Sequence, residues 1–227
     1  DEEIASRQPF PGPGLGVRIL CNDSTVAFTT EQREKLADFL AAYDGGKYAG
    51  KIAPIRSVGV QGDNRSYKSL VVLGGGLPVE WDALFEVARA IPNNLPFINR
   101  VAYRVDSKEP VSTLTCTPMH ICHETAEVLR EADAIVTSTV MNKKIAQCFA
   151  VLLPVSTDET SARPYSVVIR AVVTSDYMTA RAAVPGVHFP VEALESAAKQ
   201  IKEKLGDKVD MVLYDVTGKP PATIEWE

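Results

Sequence analysis

Cysteine is scarce: Cys21, Cys116, Cys122 and Cys148 are the only four in 227 residues. They are too few and too irregularly spaced for a disulfide framework, which fits a reducing, cytoplasmic setting. Histidine is scarcer still, with three in the chain. His120 and His123 stand beside Cys116 and Cys122, but this spacing matches no standard zinc pair, and a linker running into a helix start accounts for the stretch. Aromatic residues are 7% of the chain, and 24 basic residues face 29 acidic ones, for a net charge of −5. That balance lacks the basic, aromatic-laced face of a nucleic-acid binder and the field that draws a protein to an anionic membrane. No apolar run reaches the length of a membrane-spanning helix, and no signal-peptide pattern is present. Gly45-Gly-Lys47 and Gly50-Lys51 do not have the spacing of a phosphate-binding loop. No nucleophile–base pair stands out, so no catalytic residue is expected in this chain, and the Cys/His spacing predicts no metal site.

What is present is ordinary globular patterning, 45% hydrophobic and 23% charged. The start, Asp1-Glu-Glu-Ile-Ala, reads as a helix end, which predicts a piece of a longer protein. Residues 1–16 are rich in Pro and Gly and read as a connector from an upstream domain. Residues 16–20 look like a first strand. Thr29 with Gln32 predicts a capping box, and Leu36, Phe39, Leu40 and Tyr43 follow at helical spacing. Strands are expected at 51–60, 67–73 and 98–105, with a helix from Pro78 between the last two. Residues 106–121 read as a linker.

The order then repeats. A helical face over 128–136 is followed by strands at 145–155 and 166–174, a helix from Pro190 and a strand at 209–216. Short echoes accompany it: Lys51-Ile-Ala53 and Lys144-Ile-Ala146, Pro78-Val-Glu80 and Pro190-Val-Glu192, Val101-Ala-Tyr-Arg-Val105 and Val212-Leu-Tyr-Asp-Val216. The fold class predicted is α+β, with two tandem α-β-β-α-β units over 17–105 and 122–227. Each is expected to be a small antiparallel sheet with helices on one face. Two such units can pair internally as a pseudo-dimer, so the chain is expected as a monomer or a homodimer.

The last nine residues, Lys219-Pro-Pro-Ala-Thr-Ile-Glu-Trp-Glu227, are the most distinctive stretch. Consecutive prolines favour a stiff, extended path away from a sheet edge. A lysine followed by exposed N–H groups can hold a phosphate. Glu225 would repel a phosphate but can accept from a purine N–H or a ribose hydroxyl. Trp226 is expected to pack on the sheet or on a neighbouring domain. On the residues alone, a solvated terminus is the ordinary alternative. The polar turn 61–65 reads first as turn chemistry.

This nonapeptide resembles the terminus of the glutamine-hydrolysing GMP synthetases. Arg7-Gln-Pro-Phe-Pro-Gly-Pro-Gly-Leu15, Ser57-Val-Gly-Val-Gln-Gly-Asp63 with Arg65, and Ser175-Asp-Tyr-Met-Thr-Ala180 resemble three further motifs of that family. The likeness is to its C-terminal dimerisation and XMP-binding domain, in the two-copy form of many eukaryotic members. The resemblance implies an enzyme converting XMP, ATP and glutamine to GMP. Lys219, Glu225 and Gln147 would bind XMP. ATP and Mg²⁺ would be bound by a missing upstream domain, and the partners would be the upstream ATP-pyrophosphatase and glutamine amidotransferase domains. Those domains' Ser-Gly-Gly-x-Asp-Ser and Cys-His-Glu signatures are absent, so this chain alone is expected to be inactive. A non-catalytic docking module is the alternative.

Two departures accompany the resemblance. Gln8 stands where histidine is usual. Met211 stands three residues before the last-strand tyrosine, where the family places a phosphate-binding arginine. Either Lys208 substitutes or the contact rests on Lys219. The corresponding place in the first unit is Arg100.

Overall fold

The computed structural model describes residues 13–227 except 24, 62–63, 161 and 176–177. The Gln8 position and most of the expected connector therefore lie outside the described residues. Helix α1 (Thr30–Asp44) opens on the predicted capping box, with Gln32 N–H on the Thr29 hydroxyl at 3.2 Å and Thr29 N–H on the Gln32 side chain at 3.0 Å. It ends at Gly45, whose φ of 68° suits a residue without a Cβ. The hairpin β1 (Tyr48–Gln61) and β2 (Asn64–Gly75) follows, then helix α2 (Trp81–Asn94) and β3 (Ile98–Arg104). After the short β4 (Thr115–Cys116) comes the second series: α3 (His123–Val140), β5 (Gln147–Leu153), β6 (Val155–Ser156), β7 (Tyr165–Val173), β8 (Arg181–Ala182), α4 (Val191–Leu205) and β9 (Val209–Asp215).

One sheet joins the two series in the order β1-β2-β3-β9-β7-β5. β3 and β9 pair antiparallel at its centre, with Tyr103 opposite Tyr214. Moving outward on either side meets a parallel pair and then an antiparallel hairpin pair. The strand order is therefore two-fold, and the α+β class and pseudo-dimer arrangement hold. The purely antiparallel unit does not. Each third strand is reached through a crossover helix, which returns the chain in its starting direction and makes that pair parallel.

Other expectations need correction. Residues 16–18 form a 3-10 turn instead of a strand, and pairing with β5 is confined to an isolated bridge between Ile19 and Leu152, where Leu20 N–H lies 3.0 Å from the Leu152 carbonyl. The neighbouring Ala150 N–H is already taken by the Asp133 carboxylate, so little free edge remains to pair. Of the three echoes, only 101–105 with 212–216 agrees with the pairing register. Lys51 lies within β1, whereas Lys144 precedes β5. Pro78 stands three residues before α2, whereas Pro190 directly caps α4.

All four helices cover one face of the sheet. Leu36, Leu84, Ile91, Leu129, Val136, Leu194 and Ile201 share a core there with Val71, Tyr103, Val167 and Tyr214. The opposite face carries Leu70, Val72, Ala102, Val168, Met211 and Leu213. Among the described residues no helix lies over it; the segment 106–121 and the C-terminal tail cover it, supplying Val111, Leu114, Ile224 and Trp226. Neither sheet edge is left bare. On β1, Val58 and Val60 donate to the carbonyls of Trp226 (3.0 Å) and Pro221 (2.8 Å), which covers part of an edge that could recruit another chain. Trp226 is completely buried. Replacing it with alanine is expected to cost about 3 kcal/mol, read as a lower urea midpoint; an unchanged midpoint would mean that the tail adds nothing to the core.

Candidate functional site

The tail does not leave the sheet edge as expected. It doubles back across the open face. Val216 N–H donates to the Val101 carbonyl at 3.1 Å, and the Thr217 hydroxyl brackets Val101 from both sides, at 2.7 and 3.0 Å. Lys219 then pairs with Ala180 through both its N–H (2.7 Å) and its carbonyl (3.1 Å). Pro220 and Pro221, both preceded by cis peptide bonds, form a turn that Ala222 N–H closes on the Gly218 carbonyl at 3.2 Å. Beyond it the chain lies along β1. A Cβ on Gly59 would sit 2.6 Å from the Pro221 carbonyl and 2.6 Å from the Asn99 side chain, so this position needs glycine for the tail to approach.

Under the tail lie three ionised side chains. Arg100 on β3, Arg170 on β7 and Asp215 on β9 are each fully buried. Asp215 pairs with Arg100 at 2.7 Å and with Arg170 at 3.2 Å. The remaining guanidinium hydrogens go chiefly to tail carbonyls. Arg170 donates to Thr217 (2.6 Å) and Thr223 (3.1 Å), and Arg100 to Thr223 (3.3 Å) and Glu225 (2.8 Å). Arg100 also reaches the Val58 carbonyl at 3.0 Å and lies 4.3 Å from the centre of the Trp226 ring, a cation–π contact. Burial pushes the Arg100 guanidinium down to about 10 while the Asp215 charge opposes the fall, so it stays protonated at neutral pH. A buried cluster with one surplus positive charge persists because carbonyl dipoles surround it.

These contacts place Lys219 at one end of the sheet, where three segments remote in sequence meet. The first is the tip of the β1–β2 hairpin, where exposed Arg65 pairs opposite Val60, the residue bonded to Pro221. The second is formed by Thr174, Ser175, Thr179 and Ala180, with the Thr174 hydroxyl on the Thr179 carbonyl at 2.5 Å, and borders a cleft of about 460 Å³. The third is the 219–221 turn. Gly62, Asp63, Asp176 and Tyr177 lie outside the described residues.

Gln147 opens β5 at this same end, opposite Val172. Alternation with Phe149 and Val151 puts it on the open face, with the tail. Val172 pairs in turn with Ala182, two residues from Ala180, so Gln147 and Lys219 are three strand spacings apart across the sheet, about 14 Å, and offset by two residues along it. Glu225 lies on the far side of the proline turn, with its carbonyl held by Arg100 and its side chain exposed. The structure thus brings Lys219 and Gln147 to one end and sets Glu225 apart from them along the tail.

Met211 is fully buried in the open-face core with Val111 and Leu114, so it offers no polar contact. Lys208 faces Glu124 at 3.5 Å, at the start of β9 and so at the opposite end of the sheet from Lys219. It does not stand in for the missing arginine. The cysteines and histidines near 120 do not converge. Cys116 accepts from Asn22 at 3.1 Å, Cys122 caps α3 through Thr125, and His120 and His123 lie near Asp23 and Glu127. Among the described residues, no three metal-binding side chains cluster, and no helix is long and apolar enough to cross a membrane.

Residues 134–226 match the family described as the GMP synthase C terminal domain. That span runs from within α3 to Trp226, so it covers only the second series. Relatives extend the likeness to the whole chain. A probable glutamine-hydrolysing GMP synthase of Caenorhabditis elegans is 32% identical over 295 residues, covering 100% of this chain and 39% of the relative. One from Leptospira interrogans is 36% identical over 236 residues, covering 100% of this chain and 36% of the relative. The Leptospira alignment takes the whole-chain match outside the eukaryotes. A GMP synthase of Hahella chejuensis is 43% identical over 112 residues but covers only 46% of this chain. The chain therefore spans well under half the length of the relatives that it matches throughout. The whole chain is similar to part of the GMP synthases, and its second half carries the match to their C terminal domain.

Proposed function

We propose that this chain completes the XMP site of a glutamine-hydrolysing GMP synthase. The observation that carries this reading is the fixed position of Lys219, pinned by its backbone at the sheet end that also holds Gln147, Arg65 and Ala180. A lysine ammonium at such a point suits a nucleotide phosphate. Gln147 and Glu225, on either side, suit the hydrogen-bonding groups of a purine and a ribose. The chain's share of the reaction is to orient XMP. Adenylation of XMP by ATP with Mg²⁺ and delivery of ammonia from glutamine belong to ATP-pyrophosphatase and glutamine amidotransferase domains outside these residues, in the cytoplasm. Deleting residues 219–227 from the intact protein and measuring steady-state kinetics in XMP tests the reading, because a pure docking module would keep its affinity.

We take the units to be 17–105 and 122–227, with 106–121 between them and 1–16 leading in. Their pairing through β3 and β9 replaces pairing between subunits, since both remaining edges are partly covered. The intact protein is expected to sediment as one chain. A two-chain mass at low micromolar concentration would reject this part of the proposal.

A further inference from the structure

We infer that Arg100, contributed by the first unit, is the positioning residue that latches the second unit's tail and so fixes where Lys219 stands. The inference rests on the proposed XMP reading for its functional consequence, but the latch itself is a matter of geometry. Arg100 and Met211 are corresponding residues of the two central strands, each three before the tyrosines that face one another. Their surroundings differ because different segments cover them. The tail that follows β9 crosses β3 and β1, where its carbonyls at 223 and 225 point at Arg100. The segment that follows β3 brings apolar Val111 and Leu114 into the core that holds Met211. A guanidinium suits a cover made of carbonyls, and a thioether suits one made of methyl groups. The arginine missing at 211 is therefore not missing from the tail's surroundings; it is supplied by the other unit.

Arg100 cannot itself reach a ligand in this arrangement, because it is fully buried beneath Trp226 and Thr223. Its effect on substrate must pass through the tail. Asp215 orients it, and Arg170 shares the load at Thr223.

Arg100→Met tests the latch with the side chain that already occupies the corresponding position. It removes the surplus positive charge and leaves the Arg170–Asp215 pair intact, so the fold is expected to survive. In the intact protein, hydrogen exchange at Ala222, Thr223 and Trp226 should speed up at least about tenfold. Exchange over α4 should not change. KM for XMP should rise about tenfold, with kcat at saturating XMP within about twofold. Arg100→Lys, which keeps the charge but not the fork, should restore both readouts in part. Unchanged tail exchange in Arg100→Met overturns the latch. So does faster tail exchange with unchanged KM in a protein where Lys219→Ala still raises KM, since the tail's position would then not matter. If Lys219→Ala also leaves KM unchanged, the XMP reading fails, and tail exchange alone decides the latch.

Discussion

Replacing Lys219 with alanine is expected to raise KM for XMP by about 10- to 100-fold and to leave kcat within about threefold. A hydrogen bond to a charged partner contributes about 1.5–3 kcal/mol, and each 1.4 kcal/mol is a factor of ten in affinity. The phosphate keeps its charge throughout the reaction at the xanthine oxygen. Its contact with Lys219 therefore stabilises ground state and transition state alike, which moves KM and spares kcat. The substitution keeps the two backbone hydrogen bonds by which Ala180 holds residue 219. Raising the salt concentration should weaken XMP binding in the parent protein more than in the variant. A variant with the parent's KM would remove the phosphate role from Lys219.

Much of the fold was legible because each helix and strand satisfies its own local rules. The capping box at Thr29, the helix after Pro190 and the Val/Ile-rich strands are all set by neighbouring residues. The parallel pairs were less accessible, because direction in a sheet depends on where a crossover helix packs. Two of the three echoes failed for a related reason. A three-residue match carries no register, whereas the five-residue echo around Tyr103 and Tyr214 does.

The tail's function was suggested by its resemblance to known enzymes, and of its path only the packing of Trp226 on the sheet was foreseen. Two prolines fix local dihedrals, but what folds the tail back is a set of donors on strands up to 125 residues away. One signal was available. Arg170 stands inside a Val/Ile run, and Asp215 ends the apolar run that begins at Val212. A lone charge at an inward-facing position of a buried strand must find a partner. Two such charges of opposite sign, on strands expected in the same sheet, predict an ion pair. Arg100, beside Asn99 in a more mixed strand, was masked by its polar neighbour.

Deletion of residues 219–227 is the other change with a large expected effect, since it takes away Lys219, Glu225 and the Trp226 plug together. It also strips Arg100 and Arg170 of most of their tail acceptors, so fold and function have to be read separately. Slow hydrogen exchange over α2 and α4 would show that the helical face stays packed, as the separate core on that side of the sheet implies. With that established, XMP binding to the intact protein lacking these nine residues is the decisive measurement. The account predicts affinity at least about 100-fold weaker than the parent's. Parental affinity in a protein whose helices remain protected would contradict it.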